Sequence, residues 1–332
     1  MKQADSSRLL HCCFTDIDEL GAALNTQRNI QVTQLSNQKF RADLLLIAFD
    51  EAIFSFAKAS CPVYSVGEKA PDYVCFTCIP EIDTHQPGPI AHNQTLCHNT
   101  IFGFDSYREI MMITPANLRV CNMQIHRDVL QSYLEVMERP DINQKFLASN
   151  FLSLPATMLP VKSYLINLFQ GIQQYPKFFQ LPHLKKIILE DIIPLLIDAI
   201  PPYSIASTKS AHSITRATLV KQVENYMMAN LDQPITLKDL CQELNTNQRS
   251  IFYGFQEVFG MSPMAYLKTQ RLHGVRRKLK VADPEIDSVT AIANQFGFWS
   301  VGHFARDYRK MFGERPSETM QQSKMWSESA HN

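Results

Sequence analysis

One stretch of the chain occurs twice. TLKDLCQELNTNQRSIFYGFQEVFGMSP runs from Thr236 to Pro263, and VTAIANQFGFWSVGHFARDYRKMFGERP runs from Val289 to Pro316. Leu240, Cys241, Leu244, Ile251, Phe255, Phe259, Gly260 and Pro263 of the first copy correspond to Ile292, Ala293, Phe296, Phe304, Tyr308, Phe312, Gly313 and Pro316 of the second, which has one extra residue in its turn. No other feature of the sequence restricts the fold as strongly.

Each copy contains the physical parts of a helix-turn-helix. A short helix starts at a capping residue, Thr236 or Ser288, and sends apolar side chains inward four residues apart, Leu240 and Leu244 or Ile292 and Phe296. The small Cys241 or Ala293 stands where a second helix crosses closely. Asn245 or Gly297 follows, at a sharp turn, and these residue types best tolerate positive φ. A second helix then opens at Asn247 or Ser300. Its inward face carries Ile251, Phe255 and Phe259, or Phe304, Tyr308 and Phe312. Gln248, Arg249, Phe252, Tyr253 and Gln256 are left outward in the first copy, and Trp299, Val301, His303, Arg306, Arg309 and Lys310 in the second.

Between the copies, Ser262 is placed to cap and Pro263 to open a helix reaching about Val281, with Leu272, Val275 and Leu279 on its buried side. Nineteen residues span roughly 28 Å. A strut of that length would let two reading helices enter successive major grooves on one face of a duplex. Arg271, Arg276, Arg277, Lys278 and Lys280, on or near the strut, are expected to neutralise phosphates. The charge distribution agrees in sign: Lys plus Arg equals Asp plus Glu at 32 each, but from Lys209 onward 16 basic residues face 12 acidic ones.

Residues 214–322 resemble the tandem DNA-binding domain of AraC/XylS-type transcription regulators. GFWSVGHFARDYRKMFGERPS, and the FGMSP run with its following YLKTQRL, look like that family's two signature regions in order and separation. VRRKL before the second unit and the GFW start of its reading helix look most like the ethanolamine-operon regulator subgroup. The resemblance implies base readout by Arg249, Phe252 and Tyr253 in the first unit and by Val301, His303 and Arg306 in the second, with Arg309 and Lys310 joining the strut residues on phosphates. Phe252 and Val301 depart from the polar residues often found there, which leaves apolar contact to a thymine methyl.

The preceding half reads differently. From residue 30 to 125, short β-type runs alternate with turns: Lys39–Phe49, Ala52–Ala57, Tyr73–Ile79, Glu109–Ile113 and Leu118–Ile125. Phe40, Ala42, Leu44 and Leu46 alternate as in a sheet with one face on a core. Glu81–Asn99, with two prolines, reads as a loop. Helical periodicity follows in Val129–Met137, Pro160–Ile172 and Leu184–Ile200, where Pro194 is expected to kink or split the helix. Pro201 and Pro202 open a linker to residue 213. The expectation is an α+β protein. Residues 1–200 form a β-rich, cupin-like effector domain with flanking helices, which is similar more loosely to the family's effector-binding domain. Residues 214–322 form an all-α domain with two helix-turn-helix units, and 323–332 are a tail.

An apolar content of 45% fits a buried interior. No secretory or membrane-spanning segment is visible, and a cytoplasmic protein with mostly reduced cysteines is expected. Cys75 and Cys78, with Cys97, His92 and His98, offer a metal or redox alternative, but spacing three in a strand sends side chains to opposite faces. Catalysis fits less well: the Pro-Cys-His-Arg setting of DNA-repair methyltransferases fused to such domains is absent, and no His-x-His cluster occurs. No cofactor is expected. The expected partners are double-stranded DNA, RNA polymerase if the protein is an activator, a small-molecule effector and, through the helices of residues 127–200, a second subunit.

Overall fold

The computed structural model describes residues 8–25, 29–81, 87–92, 94–97, 99–153, 157–177, 182–202 and 211–329. His98, the greater part of the linker and the last three residues of the tail lie outside them. The chain divides into two compact units, Met1–Val32 with Arg41–Thr208, and Thr33–Phe40 with Lys209–Asn332. Among the described residues, no helix is long and apolar enough to cross a membrane.

In the first unit, β1 (Arg8–Phe14), α1 (Ile17–Leu24) and the first three residues of β2 (Ile30–Gln34) precede β3 (Ala42–Ala48), β4 (Ala52–Ala59), β5 (Val63–Gly67) and β6 (Tyr73–Cys78). Short strands β7 (Ile90–Ala91), β8 (Gln94–Thr95) and β9 (Thr100–Phe102) follow, then β10 (Ile110–Thr114), β11 (Arg119–His126), α2 (Arg127–Val136), α3 (Gln144–Leu147), β12 (Phe151–Ser153), α4 (Leu159–Gln174) and α5 (Pro182–Ala199). Two sheets result, ordered β1-β3-β4-β11-β6-β9-β12 and β2-β5-β10-β7-β8.

Strand alternation sorts the side chains of the larger sheet. Phe54 and Phe56 of β4, Phe76 and Cys78 of β6, and Cys121, Met123 and Ile125 of β11 point to one side. There they join Leu130 and Leu134 of α2, Leu165 and Phe169 of α4, and Ile193 and Leu196 of α5 in one continuous core. The intervening residues, Ser55 and Ala57, Cys75 and Thr77, and Val120 and Asn122, line a cavity. The register places Asn122 opposite both Ser55 and Thr77, and its amide donates to Thr77 Oγ1 at 2.8 Å. The sheet therefore has a helix-covered face and a cavity face whose floor carries a row of polar groups.

The sequence signals for β1, α1 and β12 are short, and these elements were not expected. Pro194 neither splits nor ends α5, which runs unbroken through it. Ile192 and Ile193 before it and Leu196 and Ile197 after it are all buried, and this packing outweighs the one missing backbone donor. Arg139 ties the end of α5 to the unit: its guanidinium donates to the carbonyls of Ile197 and Ile200 and clasps the Asp141 carboxylate.

The second unit is helical: α6 (Ala211–Ala229), α7 (Leu237–Glu243), α8 (Gln248–Phe259), α9 (Pro263–Leu279), α10 (Val289–Gln295), α11 (Val301–Phe312) and α12 (Pro316–Ser329). α6 begins inside the stretch expected as linker, and α12 extends past residue 322 into the expected tail. Both helix pairs of the repeat are present, α7 with α8 and α10 with α11. Leu240, Ile251 and Phe255 of the first, and Ile292, Ala293, Phe304 and Tyr308 of the second, are buried. Cys241, Leu244, Phe296 and Phe312 are half-buried.

Backbone geometry explains several residue choices. Asn245 and Gly297 hold φ of 45° and 75° in the two turns, and Gly260 and Gly313 end α8 and α11 at 66° and 78°, where glycine avoids the Cβ penalty. Thr236 forms a capping box with Asp239. Its hydroxyl and backbone N–H both donate to the Asp239 carboxylate, which holds that carboxyl below its usual range. Asn247 and Ser262 cap α8 and α9, whereas Ser288 and Ser300 occupy the cap positions of α10 and α11 without a side-chain cap bond.

Candidate nucleic-acid interface

The strut between the two helix pairs is α9, whose 17 residues at 1.5 Å each span about 25 Å. Its contacts make it the core of the domain. Tyr266, Leu267, Leu272, Val275 and Leu279 are buried, and the Tyr266 hydroxyl donates to the buried Glu224 carboxylate of α6 at 2.6 Å. Gly274 allows close packing on the second helix pair, because a Cβ there would stand 2.4 Å from the Phe296 ring. Gly254 of α8 does the same toward α6, where a Cβ would stand 2.6 Å from Val220.

All six residues expected to read bases are exposed. On α8, Arg249, Phe252, Tyr253 and Gln256 share the face opposite buried Ile251, Phe255 and Val258. The Phe252 and Tyr253 rings meet edge to face with centroids 6.3 Å apart, and the Arg249 guanidinium lies 5.4 Å from the Tyr253 ring centre. On α11, Gly302, Arg306 and Arg309 run along the face opposite Phe304, Tyr308 and Met311. Val301, Arg306, Arg309 and Lys310 share a shallow hollow with Arg315, and His303 is exposed beside them on the same helix.

The expected phosphate contacts divide. Arg309, Lys310 and Lys278 are exposed, although Lys278 Nζ donates to Gln295 Oε1 at 2.6 Å, and Arg277 is half-buried. Arg276 and Arg271 are corrected. Arg276 is 6% exposed; its Nη1 lies 2.6 Å from Glu314 Oε1 and its guanidinium stacks 4.6 Å from the centre of Phe312. Arg271 donates to the carbonyls of Leu231 and Gln233, with burial lowering its pKa. Both cations face inward on a helix whose inner side faces the protein, so they brace the domain.

Sequence reasoning missed three surface cations. Arg315 stands in the α11 hollow. Arg216 of α6 lies beside Arg249 and Tyr253 and pairs with Glu257 at 2.7 Å. Lys268 of α9 pairs with Asp307 of α11 at 2.6 Å. Arg216 and Lys268 fall outside the repeat, and only the packing of α6 and α9 brings them to it.

The metal alternative is not supported by the geometry. Cys75 lines the cavity while Cys78 sits in the core on the other side of the sheet, directly across from Cys121. Burial raises the Cys121 thiol well above its ordinary pKa. Among the described residues no group of three or more His, Cys, Asp or Glu is placed to hold a metal.

Residues 240–322 match the family model described as a helix-turn-helix domain. The chain is 37% identical over 102 residues to the "Probable thc operon regulatory protein" of Rhodococcus erythropolis, a span covering 31% of each. It is 33% identical over 105 residues to "XylDLEGF operon transcriptional activator 2" of Pseudomonas putida, covering 32% of this chain and 67% of that protein. Among solved structures, it is 47% identical to a probable AraC family transcriptional regulator from Rhodopseudomonas palustris, covering 32% of this chain and 97% of that one at a TM-score of 0.30. The chain thus spans about a third of the length of the Rhodococcus relative. It belongs to the AraC/XylS family of helix-turn-helix transcription regulators, a family of DNA-binding regulators and not of enzymes.

Proposed function

We propose that the protein is a cytoplasmic, sequence-specific transcription activator whose DNA engagement is set by a small molecule bound in the first unit. One observation carries the DNA half of this reading: Arg249, Phe252 and Tyr253 on α8, and Arg306 and Arg309 on α11, are exposed on equivalent helices of two copies of one motif. The name of the Pseudomonas relative, an operon transcriptional activator, supports activation, and an activator would have RNA polymerase as a partner. Base readout is assigned to Arg249, Phe252, Tyr253, Val301, His303 and Arg306, and phosphate contact to Arg277, Lys278, Arg309 and Lys310.

The cavity of the first unit supports the effector half. Its walls are mainly apolar, with Leu20, Val32, Phe102 and Met111, over the floor of Ser55, Asn122 and Thr77. Lys58 and Lys69 stand in the lining, and no Asp or Glu does among the described lining residues. Lys69 also donates to the Asp105 carbonyl at 2.5 Å. Such a lining suits a small molecule with an apolar body and a polar or anionic group. The ligand controls the protein only by binding the DNA-competent arrangement more tightly than the other. A second subunit against the α2, α4 and α5 side of this unit completes the proposed assembly.

The likeness to the ethanolamine-operon subgroup rests on VRRKL and GFW. Val275, Arg276 and Leu279 are buried and Gly297 holds a turn, so these residues have a structural use and name no effector. Selection of bound fragments from the host genome, with and without candidate small molecules, tests the proposal. A shared operator motif whose enrichment changes with one compound is the expected result. Fragments with no common motif would contradict it.

A further inference from the structure

The two reading helices are equivalent in fold and opposite in chemistry. With Ile251 aligned on Phe304 and Phe255 on Tyr308, both pairs buried, Arg249 corresponds to Gly302, Phe252 to Ala305, Tyr253 to Arg306 and Gln256 to Arg309. The first helix thus offers two aromatic rings, 43% and 52% exposed, set edge to face against each other, with the Arg249 guanidinium over the Tyr253 ring. The second offers small residues where the first has its arginine and phenylalanine. A Cβ at Gly302 would meet nothing within 4 Å, and Arg306, Arg309 and Lys310 surround this bare stretch of helix.

Phe252 has no hydrogen-bonding group, so it distinguishes base pairs only by apolar contact. In the major groove the one apolar group projecting from a base edge is the thymine C5 methyl. The patch sits in the N-terminal half of the second helix of a helix-turn-helix, the part that approaches base edges, and Gln248, Arg249 and Gln256 flank it with groups suited to bases and phosphates. We infer that the two units divide the work of recognition: the first reads thymine methyls through Phe252 and Tyr253, and the second, beside its polar reader Arg306, grips the duplex through the charges of Arg309 and Lys310. The inference rests on the base-reading role proposed for α8 and α11.

The test uses the full chain and a duplex selected from a random pool by that chain. Each thymine of the selected site is replaced in turn by deoxyuridine, which removes the methyl and leaves pairing intact. Losing one buried methyl corresponds to about a fourfold loss of affinity, expected at one or more thymines in one half-site. Phe252→Ala should abolish the difference between thymine and uracil there and leave the salt dependence unchanged. Arg309→Ala should keep the difference and make the salt dependence shallower by about one unit. Circular dichroism checks that each variant is folded.

Deoxyuridine substitution without effect at every thymine of a specifically bound site would overturn the division while leaving base reading intact. Equal affinity for selected and unrelated duplexes would overturn base reading itself. If Phe252→Ala keeps the methyl sensitivity but abolishes transcription with RNA polymerase, the aromatic patch is a protein contact and the inference is wrong.

Discussion

Arg276 of α9 and Glu314, at the start of the chain leading into α12, meet at 2.6 Å with the arginine side chain almost fully enclosed. The same carboxylate accepts from Thr319 Oγ1 at 2.6 Å, and Thr319 is 2.8 Å from the hydroxyl of buried Tyr308. Burial pushes the Tyr308 phenol well above its ordinary pKa. The network joins the strut to the second reading helix. Removing the arginine takes a charged hydrogen-bond partner from a carboxylate that is only partly exposed, so Arg276→Ala should cost about 1.5 to 3 kcal/mol in chemical denaturation. An unchanged midpoint, with a shallower salt dependence of DNA binding, would return Arg276 to the phosphate-contacting set.

Gly274→Ala tests the packing of the strut on the second helix pair. The added methyl would collide with the Phe296 ring, and overpacking of this kind costs about 1 to 3 kcal/mol. Thermal unfolding should show a lower midpoint. Gly302→Ala, where the space is open, is expected to gain a few tenths of a kcal/mol up to about 1 kcal/mol from helix propensity and serves as the control.

Asp141 gives the first unit an acid-sensitive contact. Hydrogen bonding from Arg139 holds its carboxyl below the ordinary value. A depressed carboxylate stabilises the fold above its unfolded pKa of about 4, and this contribution is lost as pH falls from there through the folded value. Asp141→Asn should therefore cost about 1 kcal/mol at pH 7 and converge with the parent as pH drops below about 4. Parallel stability curves across that range would contradict the assignment.

Lys310 is exposed in the α11 hollow. Lys310→Ala should weaken binding to selected and unrelated duplexes alike and reduce the slope of log affinity against log salt by about one unit. A loss confined to the selected sequence would make it a base contact.

The helix-turn-helix units were legible because their constraints are local. Asn245 and Gly297 occupy positive-φ turns, Thr236 and Asn247 cap helices, and Ile251 and Phe255 recur at helical spacing, each signal lying within a single copy of the repeat. The direction of a cation on the strut is not local. Arg271 and Arg276 read like Lys278 in sequence, and only the positions of Leu231, Gln233 and Glu314 decide which of them turns inward. The cavity was illegible for a similar reason: Ser55, Thr77 and Asn122 are far apart in the chain and meet through the register of three strands. That Pro194 does not split its helix was not legible either, because the burial on both sides of it, which holds the helix together, is a tertiary property.

Binding of the full chain to its selected duplex, measured for the parent, Arg249→Ala and Arg306→Ala, tests the central claim that both units read one duplex. Each substitution should lower specific affinity by about 1 to 3 kcal/mol and relax preference at a different base pair, the two positions lying about one helical turn apart. Unchanged specificity in both variants, or relaxation at the same base pair, would contradict it.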